Sequence, residues 1–278
     1  MGAFDSLTAS ISGMQAQAFA LQNISGNIAN SQTTGYKGFD THFTDLLNGQ
    51  MVGASDGVMA ASTSTNTKQG TIASSSISSF MAINGDGYFS VEQPVASSTS
   101  GQPSFSGATQ AYTRRGDFQL DSNGYLVNGA GNYLMGNMVD PSTGNATNGT
   151  PQLLQFNASS LPTDQGTLTS ISIGQNGAVQ GNFSSGKTMT LASVPLSSFR
   201  GDEFLQSGDG NTLTATTQSG AAISSAPGTI VGSALESSNV DITDQFTAMI
   251  ATQQAYGANT KVMGATNEML QTATNMAV

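Results

Sequence analysis

Reactive side chains are few in this sequence. It holds one histidine, His42, and no cysteine. Nucleophilic catalysis needs a general base within hydrogen-bond reach, and a zinc site needs three or four ligands from His, Cys and carboxylates. His42 has no second ligand candidate, and the polar segment after Gly35-Tyr36-Lys37-Gly38 reads as a solvated loop or edge. Gly53-Ala54-Ser55-Asp56-Gly57 fits the pattern of a nucleophile elbow. Such an elbow needs a hydrophobic strand before it and a helix after it. Here only Met51-Val52 precede, and a Thr/Ser tract follows. Asp86, Asp117, Asp121, Asp202 and Asp209 lie in turns with Gly or Asn, where Asp accepts backbone N–H bonds. The carboxylate spacing of a calcium loop is absent. These residues predict no catalytic centre, no metal site and no cofactor.

Charge narrows the classes further. The net charge is −10, and charged residues make up only 9% of the chain, against about 25% in a typical soluble domain. The bases Lys37, Lys68, Arg114, Arg115, Lys187, Arg200 and Lys261 are scattered. No basic stripe exists to neutralise phosphates, so neither nucleic acid nor an anionic membrane is an expected partner. No stretch approaches the roughly 18 apolar residues of a membrane span, and no basic-then-apolar leader opens the sequence. Ser, Thr, Asn, Gln and Gly supply the polarity. Such a surface hydrogen-bonds well and repels neighbours little, which suits a protein that packs against copies of itself. The one basic pair, Arg114-Arg115, either meets carboxylates inside its domain or faces an acidic neighbour.

The two ends differ from the middle. Phe4, Leu7, Ile11, Met14, Ala18, Leu21 and Ile28 follow steps of three and four, with Ser25 in the one polar slot, which predicts a heptad seam. A helix from about residue 4 to 30 would be about 40 Å long and cannot bury its own stripe. At the other end, Asn239 and Asp241 are candidate N-caps, and no Pro follows. Two stripes run along this second helix. Ile242, Phe246, Met249, Tyr256, Met263 and Leu270 form one, and Ala248, Ala251, Ala255, Ala258, Val262, Ala265, Met269 and Met276 form the other. The first is expected to take the N-terminal helix and the second a different subunit, unless both form one wide core face.

The middle reads as β. Apolar runs such as Met81-Ala82-Ile83, Tyr88–Val91, Phe118–Leu120, Tyr125–Val127, Tyr133–Met135, Ile171–Ile173, Met189–Leu191 and Leu213–Ala215 alternate with Asn-Gly or Asp-Gly turns. The expected fold is α+β. Paired, coiled-coil-like N- and C-terminal helices carry a discontinuous antiparallel β-domain with a small inserted β subdomain. The expected limits are 1–35 with 239–278 for the helical domain, 36–79 for an extended connector, 80–140 with 199–238 for the β-domain, and 141–198 for the insert. Residues 48–79 are Gly/Ser/Thr/Ala-rich and read as loop-like, and 141–198 holds only Asp164 and Lys187 as charges.

Several blocks resemble the flagellar hook and rod axial protein family. Asn27-Ile28-Ala29-Asn30-Ser31-Gln32-Thr33-Thr34-Gly35-Tyr36-Lys37 is similar to its N-terminal signature. Phe80–Phe89, Tyr112–Phe118, Asp121–Val127 and Gly131–Leu134 follow in the family's order. Leu235–Asp241, Gln253–Lys261 and Glu268–Gln271 resemble its C-terminal signature. Gln254 stands where Arg is usual, and Gly257 is unusual inside the terminal helix. The stretch from Ile173 to Phe199 is similar to a segment of the hook members, while the short chain length also fits a distal or proximal rod subunit.

The resemblance implies a hook subunit of a flexible hollow tube that transmits torque and passes exported subunits. It implies export without a cleaved signal, and a place at the outer end of the basal body. Implied partners are copies of the chain, the distal rod, the hook cap, the hook–filament junction and the export apparatus. Implied assembly residues are Phe4, Leu7, Ile11, Met14, Leu21, Asn27, Ile28, Asn30, Gly35, Tyr36, Lys37, Arg114, Asn239, Phe246, Met249, Ile250, Gln253, Tyr256, Asn259, Val262, Met263, Met269 and Leu270. A secreted fibre or adhesin-type protein shares the low charge but not these ordered blocks.

Overall fold

The computed structural model describes residues 3–47, 55–94, 96–97, 103–105, 109–139, 150–156 and 166–276. They form two compact units, one from Met1–Ser31, Lys37–Thr65 and Val240–Val278, the other from Gln32–Tyr36 and Asn66–Asn239. Gly53, Ala54 and the first junction of the expected insert, near residue 141, fall outside the described residues.

The first unit holds helix α1 (Ala3–Ala29), helix α2 (Ile242–Met276) and a hairpin of strands β1 (Phe39–Leu47) and β2 (Ser55–Ser64). Asp241 caps α2 as its sequence predicts, with Oδ1 accepting from the Thr243 N–H at 2.8 Å. Asn30 closes α1, its amide donating to the Gly26 carbonyl at 3.0 Å. The helices run antiparallel, with Gly13 against Asn259 and Asn27 bonded to Gln245. The hairpin lies against α1, where Ser12 Oγ accepts from the Val58 N–H and Asn23 donates to Thr41. The segment expected as an extended connector therefore contains a paired hairpin, Phe39 opposite Ser64. Its β2 sequence lacks alternating large apolar groups, and pairing and α1 contacts make it a strand.

The helix faces are also redistributed. On α1 the buried residues are Ser10, Gly13, Ala16, Ala20, Ile24 and Asn27. Most of them stand one position before the heptad seam, a rotation of about 100°. The seam itself is half-buried at Leu7, Met14, Leu21 and Ile28 and exposed at Ile11 and Ala18. On α2 the inner face carries Gln245, Ala248, Thr252, Ala255, Asn259 and Thr266, while Ile242, Phe246 and Tyr256 of the stripe expected to meet α1 are exposed. Small and polar side chains let the two backbones approach closely, so they win the internal seam and the bulky residues turn outward.

The second unit is built on one twelve-stranded sheet. Its antiparallel path runs through Leu168–Ile173, Ala178–Phe183, Thr188–Ser193, Tyr133–Met138, Tyr88–Glu92, Gln110–Thr113, Thr212–Thr214 and Gln206–Gly208. The hairpin joining the first two strands turns at Asn176 and Gly177, with φ of 61° and 75°, the left-handed pair that Asn-Gly supplies. Neighbours on a strand face opposite sides of the sheet. Phe89 accordingly joins Met81, Ile83, Phe118, Leu126, Leu134, Ile171, Val179 and Leu191 in one core, and Tyr88 joins Tyr112, Phe199, Leu205 and Leu213 in another. Tyr112 and Tyr88 meet Phe199 edge-on, with centroids 4.7 and 6.0 Å apart. The strands from 168 to 193 share this sheet and the larger core. Within the described part of 141–198, Thr188–Ser193 pairs with Tyr133–Met138.

Half-buried Asp202 opens a short 3-10 turn beneath the aromatic cluster. Loss of hydration and the nearby Asp86 carboxylate raise its pKa above the ordinary Asp value, while Arg114 and a backbone bond from Phe199 oppose them. A raised folded-state value means the ionised carboxylate costs stability above that pKa and nothing once both states are protonated. Asp202→Asn should therefore raise the thermal midpoint at neutral pH. Its advantage should shrink as pH falls through the folded-state pKa and vanish below the ordinary Asp range, as read by melting curves across pH.

Candidate assembly surface

The first unit leaves large apolar groups in solvent. Ile242, Phe246 and Ile250 climb α2 in steps of four, and Phe246 and Ile250 are 50% and 61% exposed. Val262, Met269 and Met276 follow in steps of seven on another side of the helix, all exposed. Ile11 on α1 and Phe43, Leu46 and Met59 on the hairpin add to them. Isolated apolar residues are ordinary on a surface, but ridges repeated along a helix mark contact sites. Each such side chain contributes about 1.5–3 kcal/mol when fully buried. Six on α2 alone are comparable with the whole stability of a domain, about 5–15 kcal/mol.

The second unit contains a buried junction where distant stretches of chain converge. Arg114 Nη1 donates to Glu236 Oε2 at 3.5 Å, and the two side chains are 4% and 0% exposed. Glu236 Oε1 accepts from the Gly70 N–H at 2.9 Å, and the guanidinium lies 5.1 Å from the Tyr88 ring centroid. The Gly35 N–H donates to the Glu236 carbonyl at 2.7 Å. Gly35 has φ of 65°, and a Cβ there would stand 2.7 Å from the Arg114 carbonyl carbon, so glycine is required twice over. Asn211 donates to the Thr34 carbonyl and Asn239 to the Lys68 carbonyl. Arg115 chelates Asp117 through Nε and Nη2 at 2.7 and 2.8 Å.

The expected assembly residues divide accordingly. Phe246, Ile250, Gln253, Tyr256, Val262 and Met269 face solvent; Leu7, Met14, Leu21, Ile28, Asn30, Met249, Met263 and Leu270 are half-buried. Phe4 lies in the first turn of α1. Asn27, Gly35, Lys37 and Arg114 are buried within the chain, and Tyr36, Asn239 and Asn259 are half-buried. Of the two options for the basic pair, the structure shows both arginines meeting carboxylates inside the domain. Sequence reasoning missed Glu236, whose signal was a lone carboxylate in the apolar run Thr229–Glu236. His42 is exposed on β1 opposite Ala61. Among the described residues, no helix is long and apolar enough to cross a membrane.

These features are those of a helical unit with exposed apolar ridges and a β-unit with a buried ion pair. Residues 7–37 match the family described as flagella basal body rod protein, residues 82–181 the flagellar hook protein FlgE/F/G D1 domain, and residues 231–276 the flagellar basal body rod FlgEFG protein C-terminal region. The chain is 31% identical to the flagellar basal-body rod protein FlgG of Bacillus subtilis over 98% of both chains. It is 27% identical to FlgG of Borreliella burgdorferi over 95% of this chain and 96% of that one. It is 35% identical to the flagellar hook protein FlgE of Brucella melitensis over 60% of this chain and 40% of that one. The chain belongs to the flagellar hook and rod axial protein family, and it is a structural protein of the flagellum rather than an enzyme.

Removing one member of a buried ion pair strands the other charge, at a cost of about 3–5 kcal/mol. Glu236→Ala should lower the unfolding free energy by about that amount. Arg114→Met with Glu236→Leu should recover part of it, because Arg114 is then no longer left as a buried charge without its carboxylate. Chemical denaturation of the four-member mutant cycle measures both effects.

Proposed function

We propose that this chain polymerises with copies of itself into a hollow helical tube of the flagellar axis. The carrying observation is the pair of open apolar ridges on α2, which no packing among the described residues covers. Two ridges on different sides of one helix need more than one neighbour. A head-to-tail contact that does not close gives an open helical filament rather than a ring. In this reading the helical unit lines the channel and carries longitudinal cohesion, and the β-unit forms the outer wall. The uncovered ridges also favour a terminal region that becomes fully ordered only on assembly. Travel to the growing tip through the flagellar export apparatus, and contacts with the preceding and following axial proteins, belong to the same proposal.

The place along the axis has two readings. The segment from Ile173 to Phe199 supports the hook, where low charge lets neighbouring surfaces slide as the tube bends. End-to-end collinearity with FlgG proteins supports the rod, since the hook relative aligns over only 40% of its own length. Labelled subunits seen outside the outer membrane speak for the hook, and labels confined within the envelope for the rod.

Phe246→Ser with Ile250→Ser should abolish tube formation by the purified protein under the electron microscope. The melting of the β-unit should stay unchanged, because neither residue belongs to it. Normal tubes from this variant would remove the ridges from the assembly interface.

A further inference from the structure

The inner seam of α1 and α2 poses a problem of register. Small and polar side chains repeat along it, and a slide by one heptad would place similar residues opposite one another. Packing of large groups, the usual discriminator, is sparse, because Ile24 is the one large apolar side chain among the buried residues of α1 and Ile242, Phe246 and Ile250 are exposed. Two contacts break the degeneracy. Asn27 is only 2% exposed, and its Nδ2 donates both to Gln245 Oε1 at 3.0 Å and to the Phe39 carbonyl at 2.9 Å. Its Oδ1 accepts from the Phe39 N–H at 2.9 Å. One amide thus clasps α1, α2 and the base of the hairpin. At the other contact, Asn259 sits so close over Gly13 that a Cβ on residue 13 would lie 2.7 Å from its Nδ2. The spacing from 13 to 27 on α1 equals that from 245 to 259 on α2, so both contacts form in one register only.

We infer that Asn27, clasping Gln245 and Phe39, and the Gly13 notch under Asn259 act as a register lock that fixes how far α1 slides along α2. After a slide of seven residues, Asn27 faces Thr252, whose hydroxyl is already bonded to the Ala248 carbonyl, or runs past Gln245. In the first slide Ala20, and in the second Ser6, would stand where Gly13 accommodates Asn259. The lock decides which residues of each helix share a height, and therefore the relative placing of the outward ridges. Asn27 is in this sense a positioning residue. The inference holds for any polymer the ridges build.

The sequence has no cysteine, so cross-links report register cleanly. The full-length chain is made with Gln17→Cys and Ala255→Cys for the observed register, or Gln17→Cys and Ala248→Cys for the shifted one. A short thiol-to-thiol reagent should favour the first pair by about tenfold or more, the factor expected from one or two buried hydrogen bonds. Asn27→Leu should bring the two yields close together. Gln245→Glu keeps the acceptor and should leave the preference intact. If Asn27→Leu loses its helix signal by circular dichroism, Gln245→Leu decides, since it leaves the Asn27–Phe39 bonds in place. Equal yields in the unmodified background, or an unchanged preference in the helical variants lacking the clasp, would overturn the lock.

Discussion

The arrangement of the helical unit follows from one constraint: two helices can approach closely only where their facing side chains are small. Gly13, Ala16 and Ala20 on α1 and Ala248 and Ala255 on α2 provide that approach. Polar Asn27, Gln245 and Asn259 fill the seam, with the Asn27 amide bonded to Gln245 and to the Phe39 carbonyl and Asn259 lying over Gly13. The bulky residues are thereby forced outward. The helical unit therefore keeps several large apolar groups, Phe246 and Ile250 among them, at its surface.

The β-unit meets a different need. Its cores lie on both sides of the sheet and are closed by Phe89, Leu134 and Val179 on one side and Tyr88, Tyr112 and Phe199 on the other. Nothing in these cores requires a charge, yet Arg114 and Glu236 are buried together at the point where residues 34–36, 70 and 236–239 meet. A buried pair adds little net stability over apolar isosteres, and its geometric demands make it better suited to fixing an arrangement. Here it holds the entering and leaving strands of the chain in one place, and Gly35 lets the entering strand lie flat on the Arg114 backbone.

Much of this was legible in the residues. The runs at Met81, Tyr88, Tyr133, Ile171 and Met189 became strands because period-two apolar patterning and Asn-Gly turns are local signals. Asp241 became the cap of α2 for the same reason. The hairpin strand Ser55–Ser64 was not legible, since Ala, Ser and Thr carry no strong alternation and its identity comes from pairing with Phe39–Leu47. Which helix face turns inward was also hidden. Heptad spacing marks a stripe as apolar but does not say whether a sister helix or another molecule covers it.

The sequence alone determined the local grammar: two helix-forming ends, a turn-punctuated β centre and a charge-poor composition. These depend on neighbours within a few positions, so they can be read along the chain. The tertiary structure alone decided that Glu236 answers Arg114, that the strands from 168 to 193 extend the main sheet, and that Asn27 reaches Gln245. Those choices join residues more than a hundred positions apart, or strands whose order no local pattern encodes. Only the simultaneous closure of hydrogen bonds and exclusion of steric overlap selects among them.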